Sequence, residues 1–221
     1  MKNLILLFTT VIISATAFSQ VVDYDQRQKF GLGVAVFNDF WMDPPDDMDT
    51  RLINQGANVF GMYNYQLGES IVYLSAGLGL GMHNLYSDNQ IEDIKADTIR
   101  FINIDEDYKK SKVSLTYVDL PVEFRFKTKG GFRTAIGFKV GYLINSHTKY
   151  KGDQLLPSGT KEVKEKRKNI EQTETLRYGP TFRIGYKWIN VFAYYQLSKL
   201  FQEDRGPQMY PVSAGIVILP W

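Results

Sequence analysis

From residue 30 onward the apolar residues recur at every second position, and this period of two admits a β-strand but no amphipathic helix. Phe30, Leu32, Val34 and Val36 share one face against Lys29, Gly31, Gly33 and Ala35. Val72, Leu74, Ala76, Leu78, Leu80 and Met82 oppose Tyr73, Ser75, Gly77, Gly79, Gly81 and His83. Val118 to Phe126, Phe132 to Ile144 and Leu176 to Tyr186 repeat the pattern, and weaker copies lie at Ala57–Leu67, Ile189–Ser198 and Tyr210–Leu219. The count reaches about eight strands, the size of a small closed barrel.

The connections narrow the class. Short turns at Gly68-Glu69, at Thr128 to Gly131 and near Lys187-Trp188 alternate with long polar stretches at 38–55, 84–112, 146–173 and 199–208. Strict alternation of short and long turns is the layout of an outer-membrane barrel, with periplasmic turns and extracellular loops. A soluble β-sandwich also alternates, but it wets one face of each sheet. Here the apolar faces carry Tyr63, Tyr65, Phe124, Phe126, Phe132, Tyr186 and Trp188 toward their ends, as an interfacial aromatic girdle does. The reading is therefore all-β, a closed antiparallel eight-stranded transmembrane barrel. Closure is obligatory, because hydrocarbon offers no partner to the backbone groups of an open edge.

At eight strands, inward side chains fill the lumen. The inward set contains Asp119 and Glu123 against Arg125, Arg133, Lys139, Arg177 and Arg183. Such charges are tolerated inside only when paired and hydrogen-bonded, so a structural ion-pair network is expected; a cationic lumen admitting anions is the alternative. A two-residue loop at Gly68-Glu69 places Phe60 opposite Gly77 and Met62 opposite Ser75. Pairing Lys127 with Gly131 places Asp119 opposite Lys139 and Arg125 opposite Arg133.

Lys2, the apolar run Leu4 to Ala17 and the small residues before Gln20 read as a secretory signal peptide over residues 1–19, leaving a barrel domain over 20–221 exported to the outer membrane. The 221 residues include no cysteine, which removes lipid attachment at cysteine, disulfides and thiolate metal sites. A formal charge of +2 asks for no nucleic-acid partner.

No catalytic motif has defined spacing. His83 has Ser87 and Asp88 nearby and His147 has Ser146, the raw material of a lipid-hydrolase site without its pattern. Asp43, Asp46, Asp47 and Asp49 offer oxygen donors for calcium but no regular loop spacing, and they read as solvated carboxylates. Gly77-Leu78-Gly79-Leu80-Gly81 lies within a strand and opens no helix, so it is a packed small-residue face, not a phosphate loop. No cofactor and no metal are expected. The second loop is acidic at Asp105-Glu106-Asp107 and the third basic at Lys161, Lys164, Lys166, Arg167 and Lys168; these loops either attract one another or, for the basic one, meet lipid phosphates. Within 97–104 a short hairpin arm is expected above the membrane, with the fourth strand extending outward from Val113.

Tyr117-Val118-Asp119-Leu120-Pro121-Val122-Glu123-Phe124 resembles the PorT-like outer-membrane β-barrel family of Bacteroidetes, within the OmpA-like porin superfamily. Ala135 to Leu143, Tyr178-Gly179-Pro180 and Tyr194-Tyr195-Gln196-Leu197 are similar to later stretches of that family, and Phe18-Ser19-Gln20 suits its leaders. The resemblance implies an eight-stranded barrel, with a link to protein secretion through the family's founder. Trp221 resembles the terminal aromatic that marks barrels for the insertion machinery, although Pro220 precedes it. The expected function is a non-enzymatic structural or partner-binding barrel, its outer loops meeting an envelope or secretion protein and its wall meeting outer-membrane lipids. A small anion or solute channel and an envelope lipid hydrolase stay open as alternatives.

Overall fold

The computed structural model describes residues 29–105, 107–156 and 159–219. The leader, its cleavage site, Glu106, Pro220 and Trp221 lie outside the described residues. The strands are β1 (Phe30–Met42), β2 (Gln55–Gln66), β3 (Val72–Tyr86), β4 (Asn89–Ile91), β5 (Phe101–Asn103), β6 (Tyr108–Lys127), β7 (Phe132–Leu156), β8 (Gly159–Lys168), β9 (Leu176–Tyr186), β10 (Ile189–Tyr195) and β11 (Tyr210–Ile218).

Pairing runs β6-β3-β2-β1-β11-β10-β9-β7, and β6 pairs with β7 to close the ring. Every ladder is antiparallel. Closure leaves the eight-stranded wall without an edge, so each backbone group within it has a neighbour. The outward face is an apolar belt: Leu78, Leu120, Ile136 and Val191 are each more than half exposed. The inward face is polar, with Asp39, Ser75, Asp119 and Arg177 at 1% exposure or less. A soluble sandwich reverses this arrangement, and hydrocarbon is the solvent that favours it. Tyr63, Tyr65, Phe124, Phe132, Tyr186 and Trp188 are exposed at the short-turn end, as an interfacial girdle requires.

Two expected registers are corrected by two residues each. Phe60 faces Gly79 and Met62 faces Gly77. The loop is longer than Gly68-Glu69: Leu67 N–H donates to the Val72 carbonyl at 3.0 Å. Gly68 adopts φ +65°, and the Ser70 hydroxyl donates to the Leu67 carbonyl at 2.6 Å. Likewise Asp119 faces Gly141 rather than Lys139, and Arg125 faces Ala135 rather than Arg133. There Lys127 pairs with Arg133, beyond a turn closed by Gly131 N–H to the Thr128 carbonyl. A slip of two keeps every side chain on its face, so large still meets small across β2 and β3.

The long-turn end holds more strand than expected. β6 begins at Tyr108 rather than Val113, and β7 continues past the barrel rim to pair with β8. The 146–173 stretch therefore supplies two strands, the end of β7 and β8, which with the start of β6 form a three-stranded β-arm. The hairpin expected within 97–104 pairs instead with an earlier segment, Asn89–Ile91 against Phe101–Asn103.

Candidate functional site

The lumen is filled in tiers. Nearest the short turns, Glu123 on β6 accepts two bonds from Arg183 on β9 and one from Arg125 Nε at 2.8 Å. Arg125 also donates to Asn64 Oδ1 at 2.7 Å, which the Ser75 hydroxyl shares at 2.7 Å. Arg133 reaches the Leu219 carbonyl at 3.3 Å. One tier higher, Asp119 receives Arg177 Nη2 at 2.7 Å and 2.8 Å, Arg177 Nε at 3.2 Å and Asn58 Nδ2 at 3.0 Å. Lys139 Nζ lies 3.8 Å from the same carboxylate and 3.7 Å from the centre of the Tyr194 ring. The Arg177 guanidinium lies 4.0 Å from the centre of the Tyr117 ring. Multiple charge-assisted bonds and two aromatic faces are what a guanidinium at 1% exposure needs to stay charged out of water.

Glycine makes that tier possible. Asp119 sits between Gly79 on β3 and Gly141 on β7. A Cβ at Gly141 would stand 2.4 Å from Asp119 Oδ1 and 2.7 Å from Arg177 Nε, so the carboxylate and guanidinium occupy the space that a side chain would take.

A third tier escaped sequence reasoning. Asp39 accepts from the Ser213 hydroxyl at 2.6 Å and pairs with His83 Nδ1 at 2.9 Å, all three buried. The available signal was phase: Asp39 continues the inward series of Gly31, Gly33, Ala35 and Phe37. β1 runs on to Met42, past the alternating segment that ends at Val36. Asn58, Asn64 and Tyr194 are further lumenal contributors not anticipated. A cavity of about 60 Å³ remains beside Asn58, His83, Lys139, Thr181 and Tyr194. Another of about 50 Å³ lies by Asn64, Arg125 and Arg133. Volumes of this size hold a few water molecules.

Above the tiers the polarity changes. Trp41, Leu85, Ile91, Ile99, Leu115 and Phe201 belong to a buried apolar cluster beneath the long loops. The loops are stitched across the mouth by backbone bonds, including Ile99 N–H to the Arg205 carbonyl at 2.8 Å, Glu171 N–H to Ile94 at 2.8 Å and Glu174 N–H to Leu200 at 2.9 Å. The basic third segment meets the second through backbone oxygens: Arg167 donates to the carbonyls of Ile91 at 2.5 Å and Glu92 at 3.0 Å.

The arm is basic on its outer side. Burial and then the nearby charges of Lys110, Lys149 and Lys166 lower the Lys112 pKa to about 8. Burial, followed by Lys166, Lys112, Lys149 and Lys168, lowers His147 to about 4, so this histidine is neutral at pH 7.

A family described as outer membrane protein beta-barrel domain matches residues 18–202. The chain belongs to that family. No curated protein matches it. In this outer-membrane barrel the serine, histidine and acid residues weighed for hydrolysis do not assemble. His83 faces Asp39, whereas the Ser87 hydroxyl donates to the Asn89 carbonyl and Asp88 Oδ1 accepts from Asp49 N–H. His147 contacts Asn145 at 3.3 Å, and Ser146 Oγ accepts from Ile170 N–H at 2.9 Å. Of the first-loop acids, Asp43 lies 3.8 Å from Lys199. Among the described residues no group of three or more His, Asp or Glu side chains is arranged to hold a metal ion.

Proposed function

We propose that this outer-membrane barrel is a closed, non-enzymatic scaffold that carries a folded extracellular platform for an envelope partner. The observation behind this reading is the double obstruction of the lumen. Three tiers of hydrogen-bonded polar and charged side chains fill the bore, and an apolar cluster tied by interloop backbone bonds covers the outer mouth. A lumen built in this way leaves water-sized voids, and the ordered mass outside the wall, β8 included, is surface available to another molecule. The PorT-like character of Tyr117 to Phe124 favours a partner in protein secretion, and the leader favours export with cleavage before Gln20.

Two measurements on the full-length protein test the reading. In planar bilayers at 1 M KCl the barrel should show no conductance steps; reproducible unitary steps would overturn the plugged lumen. In whole-cell cross-linking, replacing residues 148–168 with a tight turn should remove at least one cross-linked band while the barrel still assembles. An unchanged pattern counts against partner binding through the arm. A His83→Ala chain should leave the envelope lipid profile unaltered; an altered profile revives the hydrolase.

A further inference from the structure

The arm's outer side carries lysines in register. Lys112, Lys149 and Lys166 stand directly opposite one another across β6, β7 and β8, and Lys110, Lys151 and Lys164 form the next row. Lys168 lies beside His147 in the row below. Like charges placed directly opposite on neighbouring strands repel, so two stacked lysine rows are a costly arrangement without a counter-charge. The acids of this face, Asp153 and Glu162, stand opposite each other near the tip, and Glu162 is engaged by Lys109 and Lys151.

The face looks sideways, over lipid. Along β6 the even-numbered residues Val118, Leu120, Val122 and Phe124 form the apolar belt, and the same phase leads upward to Lys112 and Lys110. The odd-numbered residues point inward: Val113 and Leu115 enter the apolar cluster, and the Ser111 hydroxyl donates to the Asn89 carbonyl at 2.7 Å. On β7 the irregularity near Thr116 and Tyr117 of its partner shifts the phase, so that Tyr142 and Ile144 lie on the belt and His147, Lys149 and Lys151 continue above it. At ~3.4 Å per residue and a tilt near 40°, Lys149 stands roughly 10–13 Å above Ile144, close enough for a lysine stem to reach headgroups. Lys112 is already fixed there. Its ammonium donates to Asn84 Oδ1 at 2.6 Å and lies 5.4 Å from the centre of the Tyr86 ring.

We propose that this lysine face binds the phosphate groups of outer-leaflet lipids, gripping them beside the wall of the barrel. Lipid phosphate supplies what the Lys112-Lys149-Lys166 row lacks, a dense anion at the right height on the right side. Burial first, and then the facing charges of Lys110, Lys149 and Lys166, lower the Lys112 pKa, and an anion bound across the row would offset the second of these. A barrel that conducted or met no protein partner would carry the same face, so this proposal stands or falls separately from the scaffold reading.

The test is titration of the detergent-solubilised full-length barrel with diphosphorylated lipid A, with dephosphorylated lipid A and with inorganic phosphate. Lys112→Gln/Lys149→Gln/Lys166→Gln should weaken diphosphorylated lipid A binding at least tenfold. The same charge change at the short turns, Lys127→Gln/Lys129→Gln/Lys187→Gln, should alter it less than twofold. Arginine at all three arm positions should retain binding, which separates charge loss from misfolding. Dephosphorylated lipid should bind the wild type no better than the parent lipid binds the glutamine variant. Inorganic phosphate at 10 mM should not displace the lipid; displacement would mean a free-anion site instead. Binding by the glutamine variant within twofold of wild type overturns the proposal, as does tighter binding of an acidic polysaccharide than of lipid A.

Discussion

Up to Ile144 on β7 the molecule is polar inside and apolar outside; above it the arrangement reverses. In the wall, Asp119 and Arg177 are buried while Leu120 and Val122 are exposed. In the arm and loops, Leu85, Val113 and Phe201 are buried while Lys149 and Lys166 are exposed. The same strands, β6 and β7, pass through both regions, and their ladder shifts register between Thr116 and Tyr117, close to the boundary. On β6 the outward phase is the same on both sides of that shift, so the surrounding solvent sets which phase of the alternation is greasy. Hydrocarbon asks for an apolar exterior and leaves polar groups to pair within, whereas water drives an apolar cluster inward.

The largest expected break is in the lumen. Asp119→Leu strands Arg177 and Lys139 out of water without their carboxylate, and the cost should be about 3–5 kcal/mol. Urea unfolding followed by the mobility difference of folded and heated barrel on gels would measure it; a loss below about 1 kcal/mol would deny the pairing its role. On the outer wall, Leu120→Lys places a charge in the belt and should cost about 2–4 kcal/mol in lipid bilayers. The mirror change above the rim, Lys149→Leu, should move stability by less than about 0.5 kcal/mol. Equal effects at the two sites would erase the proposed boundary.

A smaller and sharper effect belongs to Gly141→Ala. The added Cβ collides with Asp119 and Arg177, and overpacking of that kind costs about 1–3 kcal/mol. In an Asp119→Leu/Arg177→Leu background the collision is with different atoms, so the two costs should fail to add. Smallest is a pH effect in the arm. Lys112 has its folded pKa lowered to about 8 from 10.5, with Lys110, Lys149 and Lys166 as the charges facing it. Between about pH 8 and 10.5 the unfolded chain binds more protons at this site, so its contribution to stability rises with pH across that window and is flat below it. Wild type should gain in urea midpoint from pH 7 to 9.5 relative to Lys112→Gln; identical pH profiles would remove Lys112 from the account.

Much of this was legible from period alone. Face assignment survives register error, because a two-residue slip returns each side chain to its side, and Asp119, Glu123, Lys139, Arg177 and Arg183 are all buried in the lumen. Partners were less legible, since pairing depends on turn geometry: Ser70 bridges a longer loop than Gly68-Glu69 implied. The third strand of the arm was hidden because Lys161 to Lys168 has no apolar alternation for a wet sheet to display. Asp39 and His83 lie 44 residues apart and meet across the lumen, so proximity in sequence pointed to Ser87 and Asp88 instead.

The chain's lack of cysteine permits the most direct test. Single spin labels at the even positions 110 to 124 of β6, in lipid nanodiscs, report whether oxygen or a water-soluble nickel chelate reaches each site. Labels at 118, 120, 122 and 124 should relax with oxygen and ignore nickel, and those at 110 and 112 should respond to nickel. Nickel access along the whole series would place water against the belt and contradict a wall in lipid.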